Sequence, residues 1–221
     1  MIDLENVRAI DFHTHAEEPC GCHSDDGYDD LQATMAEYFR APWKHPPTVP
    51  ETAQHYRDQN IAAVIFPVDA ERETGYRRYA NEEVAELAAE NDDVLIPFAS
   101  IDPHKGKMGQ REARRLIKDF GIKGFKFHPT MQGFYPNDRL AYGLYEAIAE
   151  EGCIALFHTG QTGVGSGMRG GNGMRLKYSN PMYMDDVAVD FPEMKIILKL
   201  VANFLVEHQV RSSLDSTEKS G

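Results

Sequence analysis

Short apolar runs alternate with longer stretches of helical apolar spacing along this chain, and that alternation restricts the fold more than any other feature. Strand and helix patterns that take turns in this way build βα units around a parallel sheet with helices against it. Six candidate strands are Ala9 to His13, Ala62 to Val68, Val94 to Ile101, Gly124 to His128, Ile154 to His158 and Lys195 to Leu198. Between them, Val84, Leu87 and Ala88 follow a candidate cap at Asn81, and Ala113, Leu116, Ile117 and Phe120 precede Gly121. Ala141, Leu144, Tyr145 and Ile148, ahead of Gly152, repeat the pattern of an amphipathic helix. The later strands begin roughly 30 residues apart, the length of one βα unit.

Two stretches break the rhythm and read as loops at one end of the sheet. The first runs from Glu17 to about Pro50, is acidic around Asp25, Asp26, Asp29 and Asp30, and ends in HPPTVP. The second, from Gly160 to Gly173, is dense in glycine. Both follow strand ends that carry histidine, and in a parallel barrel function concentrates at that end.

Asp11, His13 and His15 alternate along the first strand and its exit, so the period of two lets all three project to one side. Two neutral imidazoles placed there can share a divalent metal. Histidine recurs at the ends of two further strands, His128 in GFKFHP and His158 in IALFHTG. Zinc or a similar ion with an open position lowers the pKa of water and polarises a carbonyl, which serves hydrolysis, hydration or decarboxylation. Lys126 shares the strand parity of His128, so it can face the same ligand and hold a carboxylate, or become carboxylated and bridge two metals; a lysine paired with a buried acid is the plainer alternative.

Other motifs weigh less. Cys20, Cys22 and His23 form a C-x-C-H cluster without an evident fourth ligand, which reads as an ordinary loop. Gly165, Gly167 and Gly170 fit G-x-G-x-x-G, but the polar NGMRLKYSNP that follows does not read as the helix a dinucleotide site requires, and a lid over the site is the better reading. The formal charge of -12 and scattered basic residues argue against a nucleic-acid partner. Three cysteines and no signal-like or membrane-spanning segment lead to the expectation of a cytoplasmic, disulfide-free enzyme without membrane contact, taking a small-molecule substrate.

AIDFHTH, VIFPVDAE, GFKFHPTMQGFYPND, LFHTGQTG and LKYSNPMYMDDVAVDFPEMKIIL together resemble the amidohydrolase-related (amidohydrolase 2) family of metal-dependent TIM-barrel hydrolases and decarboxylases. The resemblance covers about residues 7 to 198. It implies an α/β fold of the (β/α)8 TIM-barrel type, with a divalent metal, zinc by expectation, held by His13, His15 and His158. Lys126 and His128 are then expected at the substrate, and the activity is that of a metal-dependent hydrolase or, alternatively, a carboxy-lyase.

The family pattern also implies a catalytic histidine on the sixth strand and a metal-binding aspartate on the eighth. After KIIL this chain reads KLVANFLVEHQVRSSLDSTEKSG, and neither His208 nor Asp215 falls at a matching position. The expected architecture is therefore an incomplete barrel of about six βα units in residues 1–198, C-terminally truncated, with an atypical tail over 199–221. An open sheet edge of that kind is expected to weaken the fold, to impair catalysis, or to be covered by a homo-oligomer.

Overall fold

The computed structural model describes residues 1–17, 33, 34, 36–38, 40 and 46–201. The six expected strands are present: β1 (Ile10–His15), β2 (Ala62–Phe66), β3 (Leu95–Ala99), β4 (Gly124–Phe127), β5 (Ile154–Gly160) and β6 (Lys195–Val201). All neighbours pair in parallel and the order in the sheet is the order in the sequence. The helices are α1 (Val49–Asp58), α2 (Glu71–Thr74), α3 (Asn81–Ala89), α4 (Gly106–Phe120), α5 (Pro129–Gln132), α6 (Arg139–Glu150) and α7 (Tyr183–Asp190).

The sheet curls into a half-barrel. In a flat sheet β1 and β5 would stand about 19 Å apart, four strand spacings. Instead the ring of His13 on β1 lies 6.3 Å from that of His158 on β5. The concave face buries Val64, Phe66, Phe98 and Leu156, with Ile10, Phe12, Ile96, Ile154 and Ile197 packed against them. Gly124 is required on this face, because a Cβ there would lie 2.4 Å from the ring of Phe98.

On the convex face the alternate residues meet the helices. Ala63 and Ile65 pack with Val49, Ala53, Val84 and Ala88 of α1 and α3. Phe125, Phe127, Ala155 and Phe157 pack with Ala113, Leu116, Tyr145 and Ile148 of α4 and α6. Both faces of the central strands are thus apolar, as parallel strands require.

Helix α1 begins inside the stretch read as loop from the sequence. Thr48 caps it by accepting from the Glu51 amide, while Glu51 accepts from the Thr48 amide, a reciprocal capping box. Asn81 does not cap α3. It is the first helical residue, and its amide group exchanges two hydrogen bonds with the backbone of Ser100 instead. Strand β6 runs to Val201, three residues beyond its expected end at Leu198. No helix among the described residues is long and apolar enough to cross a membrane.

Candidate metal centre

The C-terminal mouth of the half-barrel gathers His13 and His15 from β1, Lys126 from β4, His158 from β5 and His128 just after β4. An irregularity in β1 shapes the first pair. Asp11 pairs with Ala63 and Thr14 with Ile65, so β1 spends three steps where β2 spends two. This bulge places Phe12 against the concave core while Asp11 and Thr14 turn to the helix layer, where both meet the hydroxyl of Tyr56 on α1. The expectation that Asp11 faces the same side as the histidines is corrected by that extra residue. Asp11 instead accepts the His13 amide at 2.8 Å and the Tyr56 hydroxyl at 2.7 Å, fixing the strand behind the histidines.

The Nε2 atoms of His13 and His15 converge to 3.1 Å. That separation matches the edge of a coordination shell whose metal–nitrogen bonds are about 2.1 Å. His15 presents its other nitrogen to the Glu17 carboxylate at 3.6 Å. His158 is fixed in one tautomer, since its Nε2 lies 2.8 Å from the carbonyl of Gln161, an oxygen that only accepts. Its Nδ1 therefore carries a lone pair, and that atom is buried without a partner among the described residues, as is Nδ1 of His13.

Burial keeps these rings neutral, and the positive charge of Lys126 adds to the effect. His13 is pushed down to about 3 and His158 to about 4, and His15 lies well below the ordinary histidine range. Neutral imidazoles are the form that ligates a cation. Among the described residues, no group of three or more His, Cys, Asp or Glu side chains converges closely enough to hold an ion without movement. The donor set present is a converged pair, with a third nitrogen unpaired among the described residues on a ring 6.3 Å from that of His13.

Lys126 is 0% exposed, and its Nζ finds no hydrogen-bond partner among the described residues; it lies 4.9 Å over the ring of Phe66. The alternative of a lysine paired with a buried acid is thereby set aside among those residues. Desolvation, with Lys199 as the second cause, pushes its ammonium down to about 7. Lys199 was not singled out from the sequence. It pairs in register with His158, and it follows the concave-facing Ile197 by two positions, so it continues the same face into the mouth.

The glycine-rich segment opens no α-helix after Gly170. A short 3-10 stretch covers Arg169–Gly173, with Gly170, Gly171 and Asn172 in left-handed conformation, so the G-x-G-x-x-G match is accidental. Cys20, Cys22 and His23 lie outside the described residues, as do His208 and Asp215.

Residues 10–199 match the family model described as amidohydrolase. The chain belongs to the amidohydrolase family. A comparison with curated proteins returns no significant match. Among solved structures, an uncharacterised TIM-barrel protein from Bordetella bronchiseptica is similar with a TM-score of 0.62 at 20% identity, over 85% of this chain and 64% of that one. A 5-carboxyvanillate decarboxylase from Novosphingobium aromaticivorans, complexed with manganese and a nitrobenzoic acid, matches with a TM-score of 0.58 at 14% identity, over 87% of this chain and 64% of that one. A 4-oxalomesaconate hydratase from Rhodopseudomonas palustris matches with a TM-score of 0.52 at 18% identity, over 86% and 62%. These likenesses show the TIM-barrel type of fold, present here as a half-barrel, and the chain spans less than two thirds of the length of these three structures. Solved structures of similar fold thus include a decarboxylase and a hydratase.

Proposed function

We propose that this chain carries the metal-binding half of an amidohydrolase-type site, with His13, His15 and His158 as ligands of a divalent cation and a small carboxylate- or amide-bearing molecule as substrate. The observation that carries the reading is the 3.1 Å convergence of two neutral imidazoles opposite a third whose Nδ1 is buried and unpaired. Bound there, a divalent ion supplies Lewis acidity, lowering the pKa of water towards neutrality and polarising a carbonyl. Zinc suits an imidazole set; manganese is the ion in the decarboxylase relative.

The chain's own residues do the rest. Gln161 holds the proton of His158 on Nε2, and Glu17 stands beside His15 Nδ1, so each ring turns its other nitrogen inward. Lys126 and Lys199 place two cationic side chains on the concave face beside the histidines, which favours an anionic substrate group. Phe66 walls the mouth against His13 and His15 and keeps water away from the ammonium of Lys126. Those two lysines also favour the second reading, a carboxy-lyase, in which the anionic group held is the one that leaves.

Elemental analysis of purified protein, followed by titration of the metal-free chain with zinc and manganese, tests the reading. Close to one ion per chain is expected, lost in His13→Ala and in His158→Ala. Absence of stoichiometric binding by the unaltered chain would overturn it. Incubation with panels of small esters, amides and aromatic carboxylates, followed by carbon dioxide release, separates hydrolase from carboxy-lyase.

A further inference from the structure

His128 sits at the mouth as the third strand-end histidine position, yet its ring is not among the unpaired groups. It is 2% exposed. Its Nδ1 accepts the Met131 amide at 3.3 Å, which leaves the ring proton on Nε2, and Nε2 faces the Thr162 hydroxyl at 3.4 Å. With both nitrogens engaged, the ring has no lone pair to offer a cation in this arrangement. What it does offer is a face: the rings of His128 and His158 stack with centroids 4.0 Å apart and planes 9° from parallel.

We propose that His128 is a positioning residue, a flat plate that fixes the ring plane of His158, and that Gln132 is the residue that holds the plate still. This rests on the reading of His158 as a metal ligand. His158 has a single in-plane anchor, the bond from Nε2 to the Gln161 carbonyl. The terminal torsion of a histidine is intrinsically broad, so one such bond leaves the ring free to swing about it. A parallel ring at van der Waals distance on one face removes that freedom, while His13 approaches edge-on at 84° and Nδ1 of His158 keeps no hydrogen-bond partner among the described residues.

Gln132 is 0% exposed, and its side chain clasps three strand exits at once. Its Oε1 accepts the His128 amide at 2.8 Å, and its Nε2 donates to the carbonyl of Asp69 at 3.0 Å and to that of Ile101 at 3.4 Å. Its own carbonyl accepts from Arg72 at 2.6 Å. The backbone of His128 is thus tied to the exits of β2 and β3, and its ring to the amide of Met131.

The test compares the full chain with His128→Phe, which keeps a flat ring and removes both nitrogens, His128→Ala, which removes the plate, and Gln132→Met, which releases the clasp. In metal-free protein labelled at histidine, nuclear magnetic resonance reads the tautomer and the ring-current shift of His158. The upfield shift and the single Nε2–H tautomer are expected to persist in His128→Phe and to be lost in His128→Ala, with Gln132→Met moving in the same direction as alanine. Zinc affinity is expected to stay within about threefold of the unaltered chain in His128→Phe, and to fall roughly 10- to 100-fold in His128→Ala, the usual loss when a residue orienting a ligand is removed.

Equal loss in phenylalanine and alanine, to the level of His158→Ala, would make His128 a ligand and overturn the proposal. So would His158 resonances that do not change in His128→Ala. Unmoved resonances in Gln132→Met would remove Gln132 from the chain of support. If the unaltered chain bound no zinc, the metal reading would fall, while the metal-free resonances would still decide the stack. Urea midpoints measured on each variant separate loss of the fold from loss of the ring's placement.

Discussion

The exits of β2, β3 and β4 and the face shared by β1, β5 and β6 lie at the same end of one sheet, yet they treat buried polar groups in opposite ways. On the first side most buried polar groups are answered, the Thr130 hydroxyl being the exception among the described residues. Ser100 takes the Asp69 amide and gives its hydroxyl to the Lys126 carbonyl, and Asn81 pairs twice with the Ser100 backbone. Asp102 accepts from Arg72 and from the His104 amide, while Asp69 accepts from Lys105 and from the Asp102 amide. Around the histidines, His13 Nδ1, His158 Nδ1 and, reaching in from β4, Lys126 Nζ are buried without a hydrogen-bond partner among the described residues. A buried polar atom left alone costs about 1 to 3 kcal/mol. The difference separates groups that build the scaffold from groups left open at the mouth among the described residues.

Breaking the satisfied side is expected to have the largest effect. Gln132→Met strips partners from the Asp69 and Ile101 carbonyls and from the His128 amide, and is expected to cost about 3 kcal/mol in urea unfolding. Filling the unsatisfied side comes next. Zinc at a hundred times its dissociation constant is expected to raise stability by about 2.7 kcal/mol, read as a shift of the thermal midpoint that vanishes in His13→Ala.

Relieving the unsatisfied side gives a smaller change of the same sign. Lys126→Met is expected to gain about 1 to 2 kcal/mol at pH 7, because a buried charge without a partner is replaced by an apolar side chain of similar length. The pH dependence has a definite sign. In the folded chain Lys126 titrates near 7, against an ordinary value of 10.5, so between those two values the unfolded chain binds a proton that the folded one refuses. Stability of the unaltered chain, relative to Lys126→Met, therefore falls as pH drops from about 10.5 to about 7 and is level below that. The smallest effect is expected for Tyr56→Phe, about 1 kcal/mol, since Asp11 and Thr14 lose a shared hydroxyl at the bulge while Asp11 keeps the His13 amide.

Much of this contrast was legible in the residue order, for physical reasons that also mark where legibility stopped. Short apolar runs flanked by helical spacing located all six strands, because parallel strands are buried on both faces. The strand-end histidines were visible for the same reason, as polar residues that interrupt such runs. The bulge in β1 was not visible, because an extra residue leaves no trace in composition, and it reversed the side taken by Asp11. Helix α1 was hidden behind the prolines of HPPTVP, although Thr48 and Glu51 carry the capping-box spacing. Lys199 escaped notice because the sixth strand was expected to end at Leu198; parity with Ile197 and register with His158 become available only once the strand is known to continue. The clasp of Gln132 joins residues up to 63 positions apart, a kind of pairing that local patterns do not carry.

Because the order of strands in the sheet is their order in the sequence, each βα unit has its neighbour already in place as a growing chain emerges. The paired histidines of β1 are made before His158 of β5. Until β5 emerges, then, the first two histidines stand without the third. On the proposed ligand set, a cation captured early by His13 and His15 would be held by two nitrogens alone until the fifth unit joined them. Tight metal uptake by this chain would accordingly serve as a clock, reporting that synthesis and curling have both passed β5.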